Sequence, residues 1–160
     1  MGKDINLNQL SDFLTAAASR LPDNLEKVIK LCCKKVSDDI KYSMDHTERN
    51  PDRTYYTNNK TKGHHPSMPG NPPAVDTGNL KNTIKYEVYK DEKEVYGVVG
   101  TTQKDPDYGA YLEYGTTKGG WGGKGMAPRP WLKPAMRKNN DFIRLSIAKA
   151  VKNTLTGLDK

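Results

Sequence analysis

Residues 45–75 hold five prolines in 31 positions: Pro51, Pro66, Pro69, Pro72 and Pro73. Only Tyr55, Tyr56, Met68, Ala74 and Val75 are apolar there. The segment buries too little surface to offset its own ordering. It therefore separates whatever residues 1–44 form from whatever follows residue 76. Structureless stretches of this length inside a compact domain are functional or disordered. An extended arm, flexible in the isolated subunit and ordered against a neighbour, satisfies both descriptions.

The flanks carry clear periodicities. Leu7, Leu10, Phe13, Leu14 and Ala17 recur at spacings of three and four, which predicts an amphipathic helix ending near Arg20. Pro22 is read as an interruption and as the first turn of a second helix, with Asp23 and Glu26 at its positive end. Leu25, Val28, Ile29, Cys32, Val36, Ile40 and Met44 form that helix's stripe. After the proline-rich stretch, Asp76 is expected to cap a single helical turn over residues 77–82. Ile84, Tyr86 and Val88, then Val95, Gly97 and Val99, alternate with polar or outward positions. The polar run 90–94 between them predicts a β-hairpin. A short helix is expected over 107–114 with Gly115 ending it. A glycine-rich loop around Trp121 follows, and Pro134 suits the first turn of a final helix. Its predicted stripe is Met136, Ile143, Ile147, Val151 and Leu155. The fold class is α+β: N-terminal helices and a long C-terminal helix on a small antiparallel sheet, with a long flexible loop. One domain of 160 residues is expected, divided into 1–44 helical, 45–75 arm, 76–132 hairpin, short helix and loop, and 133–155 helix.

Charge is unevenly distributed. The balances are +1 for residues 1–44, +1 for 45–75, −3 for 76–116 and +8 for 117–160. A basic segment beside an acidic one suits nucleic acid or a like subunit presenting its acidic surface; the alternative is a solvated helix face. No run approaches the ~18 apolar residues of a membrane helix. The first residues lack a signal peptide's apolar core, and Asn6 occupies the position where myristoylation needs Ser or Thr. Adjacent Cys32 and Cys33 have no C-x-x-C spacing. They are expected to be reduced thiols in a cytosolic context, one in the core and one pointing sideways.

Catalytic signatures are weak. Asp76-Thr77-Gly78 matches the tripeptide of aspartic proteases, whose chemistry needs two carboxylates sharing a proton. Two prolines precede it, and Asn79-Leu80 follows, so a turn explains it more simply. His64-His65 and the distant His46 do not make a metal site by spacing. The glycines after Thr117 lack the ending of a phosphate loop. No cofactor and no metal are expected. Tyr108, Tyr111 and Leu112 fall on one side of a helical turn, either as interface residues or as cover for the hairpin.

Three segments in order carry a resemblance. They are Asp76-Thr77-Gly78-Asn79-Leu80; Tyr108-Gly109-Ala110-Tyr111-Leu112-Glu113-Tyr114-Gly115-Thr116; and Ala127-Pro128-Arg129-Pro130-Trp131-Leu132-Lys133-Pro134-Ala135. Together they resemble the head–tail joining and tail-completion family of long-tailed bacteriophages, whose pattern is D-T-G-x-L, Y-A-x-x-x-E-Y-G-T and a-R-P-F-l-x-P-A. Gly109 replaces the alanine, or the pair is shifted by one, and Trp131 replaces the phenylalanine. The resemblance covers roughly residues 5–155. It implies an α+β, non-enzymatic part of the virion's neck or upper tail, assembled in the host cytoplasm. Its implied partners are its own copies in a hexameric or dodecameric ring, other neck and tail-tube proteins, and genomic DNA passing through the lumen, with no membrane. The alternatives are a free DNA-binding protein using the basic final helix and, least supported, an aspartic protease at Asp76. Trp131 is expected to plug the core rather than anchor a partner, and Arg129 is expected at the surface.

Overall fold

The computed structural model describes residues 7–52, 54–56, 63–91, 94–102, 106–118 and 125–156. The fold is α+β, with long N-terminal and C-terminal helices and small two-stranded antiparallel sheets. In order the elements are α1 (Leu7–Asp45), β1 (Tyr55–Tyr56), β2 (Gly63–His64), α2 (Asn79–Thr83), β3 (Ile84–Lys90), β4 (Val95–Thr101), α3 (Pro106–Tyr114) and α4 (Leu132–Thr156). β1 pairs antiparallel with β2 in the register Tyr55 to His64, and β3 pairs with β4. No helix among the described residues is long and apolar enough to cross a membrane.

The expected break at Pro22 does not occur, because α1 runs through it. Proline removes one main-chain hydrogen bond, to the carbonyl of Ala18. Ala18 lies on the exposed side, where water can take that bond, while Ala17 and Cys32 are buried on either side of the proline.

The described residues fall into two compact units. The first is made of the described residues within Met1–Lys34, Glu87–Val98 and Asn140–Lys160. Its buried residues include Ala17, Cys32, Cys33, Ala150 and Thr154. Both cysteines are buried, rather than one of them, and both are free. Burial pushes both thiols up, with a hydrogen bond between Cys32 and Ser146 opposing it at Cys32. β4 approaches α1 so closely that a Cβ on Gly97 would lie 2.3 Å from Cys33 Sγ and 2.8 Å from Ile29 Cγ2. Asn24 Nδ2 donates to Thr154 Oγ1 at 2.9 Å, and Lys90 pairs with Asp23 and, at 3.5 Å, with Glu26. Tyr89 and Tyr96 stack across the hairpin.

The second unit is made of the described residues within Lys35–Tyr86 and Val99–Asn139. Val36, Ile40, Met44, Leu80, Ile84, Leu112, Trp131 and Ala135 form its core. The expected stripe on α4 holds in part: Ile143, Ile147 and Val151 are half-buried, Met136 and Leu155 are exposed, and the most buried positions are the small and polar Ala135, Asn139, Ala150 and Thr154. Asn139 fits inside because its amide donates to Asp39 Oδ2 at 2.8 Å and to Ala135 O at 2.9 Å.

The proline-rich segment is not an extended arm over its described residues. Besides the β1–β2 pairing, Arg49 bridges Ser67, and Asn50 N donates to Pro66 O at 2.7 Å. Asn50, Pro66 and Ser67 are buried in consequence. Backbone pairing within the segment supplies what its few apolar side chains do not.

Candidate functional site

The three sequence segments singled out above meet in the second unit. The first, residues 76–80, is anchored at its entry, where Arg49 donates to Val75 O at 2.6 Å. Gly78 adopts φ 81° and takes the N-cap position of α2, which no side chain caps. Asp76 is therefore not the helix cap that the sequence suggested. It is exposed, as is Thr77, while Leu80 is buried.

The second segment is α3 and its exit. Leu112 and Glu113 are buried, while Tyr108, Tyr111 and Tyr114 are exposed. Leu112 thus belongs to the core and Tyr111 to the surface. Gly115 ends the helix at φ 74°, with its N–H donating to Tyr111 O at 2.8 Å. Thr116 then pairs with Met126 through two main-chain bonds of 2.9 and 3.0 Å, closing the base of the glycine-rich loop. Trp121 lies outside the described residues.

The third segment is held to the second by the Glu113 carboxylate. Its Oε2 accepts from Trp131 N at 2.7 Å and Leu132 N at 2.9 Å, and its Oε1 accepts from Lys133 N at 3.0 Å. These are the first free donors of α4, whose own start offers no Ser, Thr, Asp or Asn. A carboxylate also favours the positive helix end. Trp131 is buried as expected, its Nε1 donating to Gly109 O at 3.0 Å. Pro134 lies within the first turn of α4, and Pro130 is half-buried before it.

Arg129 departs from expectation. It is only 6% exposed, not a surface residue. Its main-chain N–H donates to Leu112 O at 2.6 Å, its Nε to Ser67 O at 3.2 Å and one Nη to Ala127 O at 3.5 Å. Three carbonyls give this side chain and its backbone a place inside, so the charge does not have to reach solvent.

Between these segments lies a cleft of about 380 Å³. Asp76, Leu80, Tyr108, Leu112 and Arg129 line it, together with Met44, Ser67 and Met126. Burial and the neighbouring Asp76 carboxylate push the Tyr108 phenol up, with the Arg129 charge pulling the other way. Among the described residues Asp76 is the one carboxylate on the cleft wall, whereas an aspartic-protease dyad needs two. His46 stacks on Tyr42 and bonds its main-chain carbonyl. His65 approaches Thr54 Oγ1 at 3.4 Å. Among the described residues no group of three His, Cys, Asp or Glu side chains could hold a metal ion.

The roles of Glu113 and Arg129 were missed in the sequence. The uncapped start of α4 was the available signal for Glu113: a helix without its own cap takes one from elsewhere. Comparison of the chain with protein-family profiles, curated proteins and solved structures returns no significant match. The resemblance therefore rests on the three segments themselves.

Proposed function

We propose that the protein is a structural component of a bacteriophage neck or upper tail. Its copies form a ring that joins head to tail or completes the tail, with DNA passing through the lumen. The observation that supports this reading is that the second and third segments are bonded to each other and the first lines the same cleft. Glu113 of the second caps the helix that the third begins, Arg129 N bonds Leu112 O, and residues of all three line one cleft. In a closed ring each copy meets its neighbours through two unlike surfaces. The acidic balance of residues 76–116 and the basic balance of 117–160 suit such a contact.

Size-exclusion chromatography with light scattering, followed by electron microscopy of the largest species, tests the reading. The expected result is a closed ring of six or twelve copies with a central channel. A monomer at every concentration counts against it.

One observation favours a second reading. Lys133, Arg137, Lys138, Arg144, Lys149 and Lys152 of α4 are all exposed. A free DNA-binding protein would use them on phosphates, and its affinity would fall steeply with salt. Monomeric mass together with such a salt slope would replace the ring by this alternative.

A further inference from the structure

In the first unit the β3–β4 hairpin covers α1 with one face and leaves the other exposed. A Cβ on Gly97 would strike Cys33 and Ile29 of α1, and Lys90 reaches Asp23 and Glu26 of the same helix. Alternation therefore turns Glu87 and Tyr89 of β3, and Tyr96 and Val98 of β4, to the outside. All four are exposed, Val98 to 50%. Tyr89 and Tyr96 stack there, and the Tyr89 hydroxyl donates to Glu87. Asp91 and Glu94 are exposed at the tip. Among the described residues of 87–98, Lys90 is the one cation, and it reaches toward α1. The outer face is acidic, aromatic and apolar.

α4 carries the opposite surface in the same unit. Phe142, Leu145, Lys149 and Lys152 follow at spacings of three and four, so they share one stripe. All are exposed, Leu145 to 70%, with Arg144 beside them and one carboxylate, Asp141, at the start of the stripe. Neither lysine takes an ion pair among the described residues. α4 meets α1 at Asn24, through Thr154, and at Cys32, through Ser146. At about 100° per residue, Asn24 and Cys32 lie on a different side of α1 from Glu26, Ile29 and Cys33. α1 thus stands between the two surfaces, and one copy cannot join them within itself.

We propose that the outer hairpin face of one copy docks on the α4 stripe of the next, a head-to-tail contact between copies of this chain. Phe142 and Leu145 meet Tyr89, Tyr96 and Val98, while Lys149 and Lys152 approach Glu87 and Glu94. The occupant is a second copy because each surface supplies what the other lacks. Cations stand against carboxylates, and both surfaces offer an exposed apolar centre for burial. Lysine beside stacked tyrosines adds cation–π attraction. A contact between two unlike patches passes from copy to copy. That it closes into a ring rests on the neck reading; the contact itself does not.

The test mixes two full-length variants, Val98→Cys and Ala148→Cys, with a short bismaleimide cross-linker. Cys32 and Cys33 are buried and their thiols pushed up, so the introduced cysteines are the reactive ones. A covalent dimer should form in the mixture and not in either variant alone, because the two patches in contact are different. Lys149→Glu with Lys152→Glu, added to the Ala148→Cys copy, should slow the adduct about tenfold at about 0.05 M salt. Glu87→Lys with Glu94→Lys in the Val98→Cys copy should then restore the rate, which a merely destabilised copy would not do. Equal cross-linking in the single variants, no adduct in the mixture, or no rescue overturns the proposal. Absence of the adduct together with loss of DNA retention in Lys149→Glu with Lys152→Glu also overturns it, and gives the α4 stripe to nucleic acid. Light scattering separates this contact from the ring. The adduct and its rescue in dimers or open chains would sink the closed ring and keep the contact. A closed ring without the adduct would keep the ring and sink the contact.

Discussion

The Glu113 carboxylate of α3 accepts three main-chain bonds at the start of α4. Replacing Glu113 with Ala leaves three donors of the α4 start without their partner, that of Trp131 in a buried setting and those of Leu132 and Lys133 partly buried. The expected loss is roughly 3 kcal/mol, the upper end for orphaned buried groups. Glu113→Gln keeps one acceptor and should cost closer to about 1 kcal/mol. Urea unfolding of both variants checks the order, and equal losses would mean that the carboxylate does not act as the cap. Trp131→Ala removes a buried indole and the bond to Gly109 O. It should cost about 3–5 kcal/mol, so a melting temperature equal to wild type would contradict the core assignment. Asp39 offers a pH dependence. Burial alone would raise its carboxyl, but hydrogen bonds from Lys35 and Asn139 and the charges of Lys138 and Lys35 outweigh that and hold it below its ordinary 3.8. A depressed folded pKa means that the stabilisation is present above about pH 4 and fades as pH falls through the folded value. The stability difference between wild type and Asp39→Asn, followed by urea unfolding from pH 7 to pH 3, should therefore shrink only at the acid end.

Elements were legible in the sequence to the extent that local periodicity decides them. The hairpin, the short helix ending at Gly115 and the final helix follow from alternation, glycine and proline placement, and β3 and β4 lie where the alternation put them. Tertiary burial decided what local rules misjudged. Pro22 should have ended a helix by propensity, yet burial on both sides keeps α1 continuous. The inward face of α4 takes in Asn139 and Thr154 beside the half-buried Ile143, Ile147 and Val151, because both satisfy their polar groups internally. The pairing within the proline-rich segment is not legible in composition, because main-chain bonds between distant residues leave no mark there. Asn50 N, bonded to Pro66 O, should accordingly exchange slowly with deuterium in the isolated protein. Exchange at the rate of an unfolded peptide would show that this pairing does not hold in solution. The contact of β4 with α1 makes a second test at this scale. Gly97→Ala would force a Cβ against Cys33 Sγ and Ile29, and should cost about 1–3 kcal/mol by overpacking. Adding Cys33→Ala frees that space, so the double variant should be more stable than the sum of the single losses. Additive losses would mean that the strand and helix do not meet at this point.

The whole molecule carries its charge in blocks, and this distinguishes the ring from its rival by the response to salt. In a ring, the basic C-terminal block of one copy faces a neighbour's acidic surface, at least in part. Such charges steer and align association more than they strengthen it. The exposed Leu10, Leu14, Phe142 and Leu145 supply apolar surface whose burial salt does not screen. Raising ionic strength from about 0.05 to 0.5 M shortens the Debye length from roughly 14 Å to 4 Å. A ring held by both kinds of contact should therefore form more slowly at high salt yet keep its stoichiometry. DNA binding by exposed lysines and arginines behaves differently, because release of condensed counterions makes the affinity itself collapse, by orders of magnitude over that range. Charge reversal separates the two again. Arg144→Glu with Lys149→Glu should slow assembly and leave the final ring mass unchanged, whereas in the rival reading the same pair abolishes DNA retention. Time-resolved light scattering at the two salt concentrations, run beside a DNA mobility assay on wild type and the double variant, measures both. An oligomer mass that falls in step with DNA affinity as salt rises would show that nucleic acid, rather than contact between copies, had held the particles together.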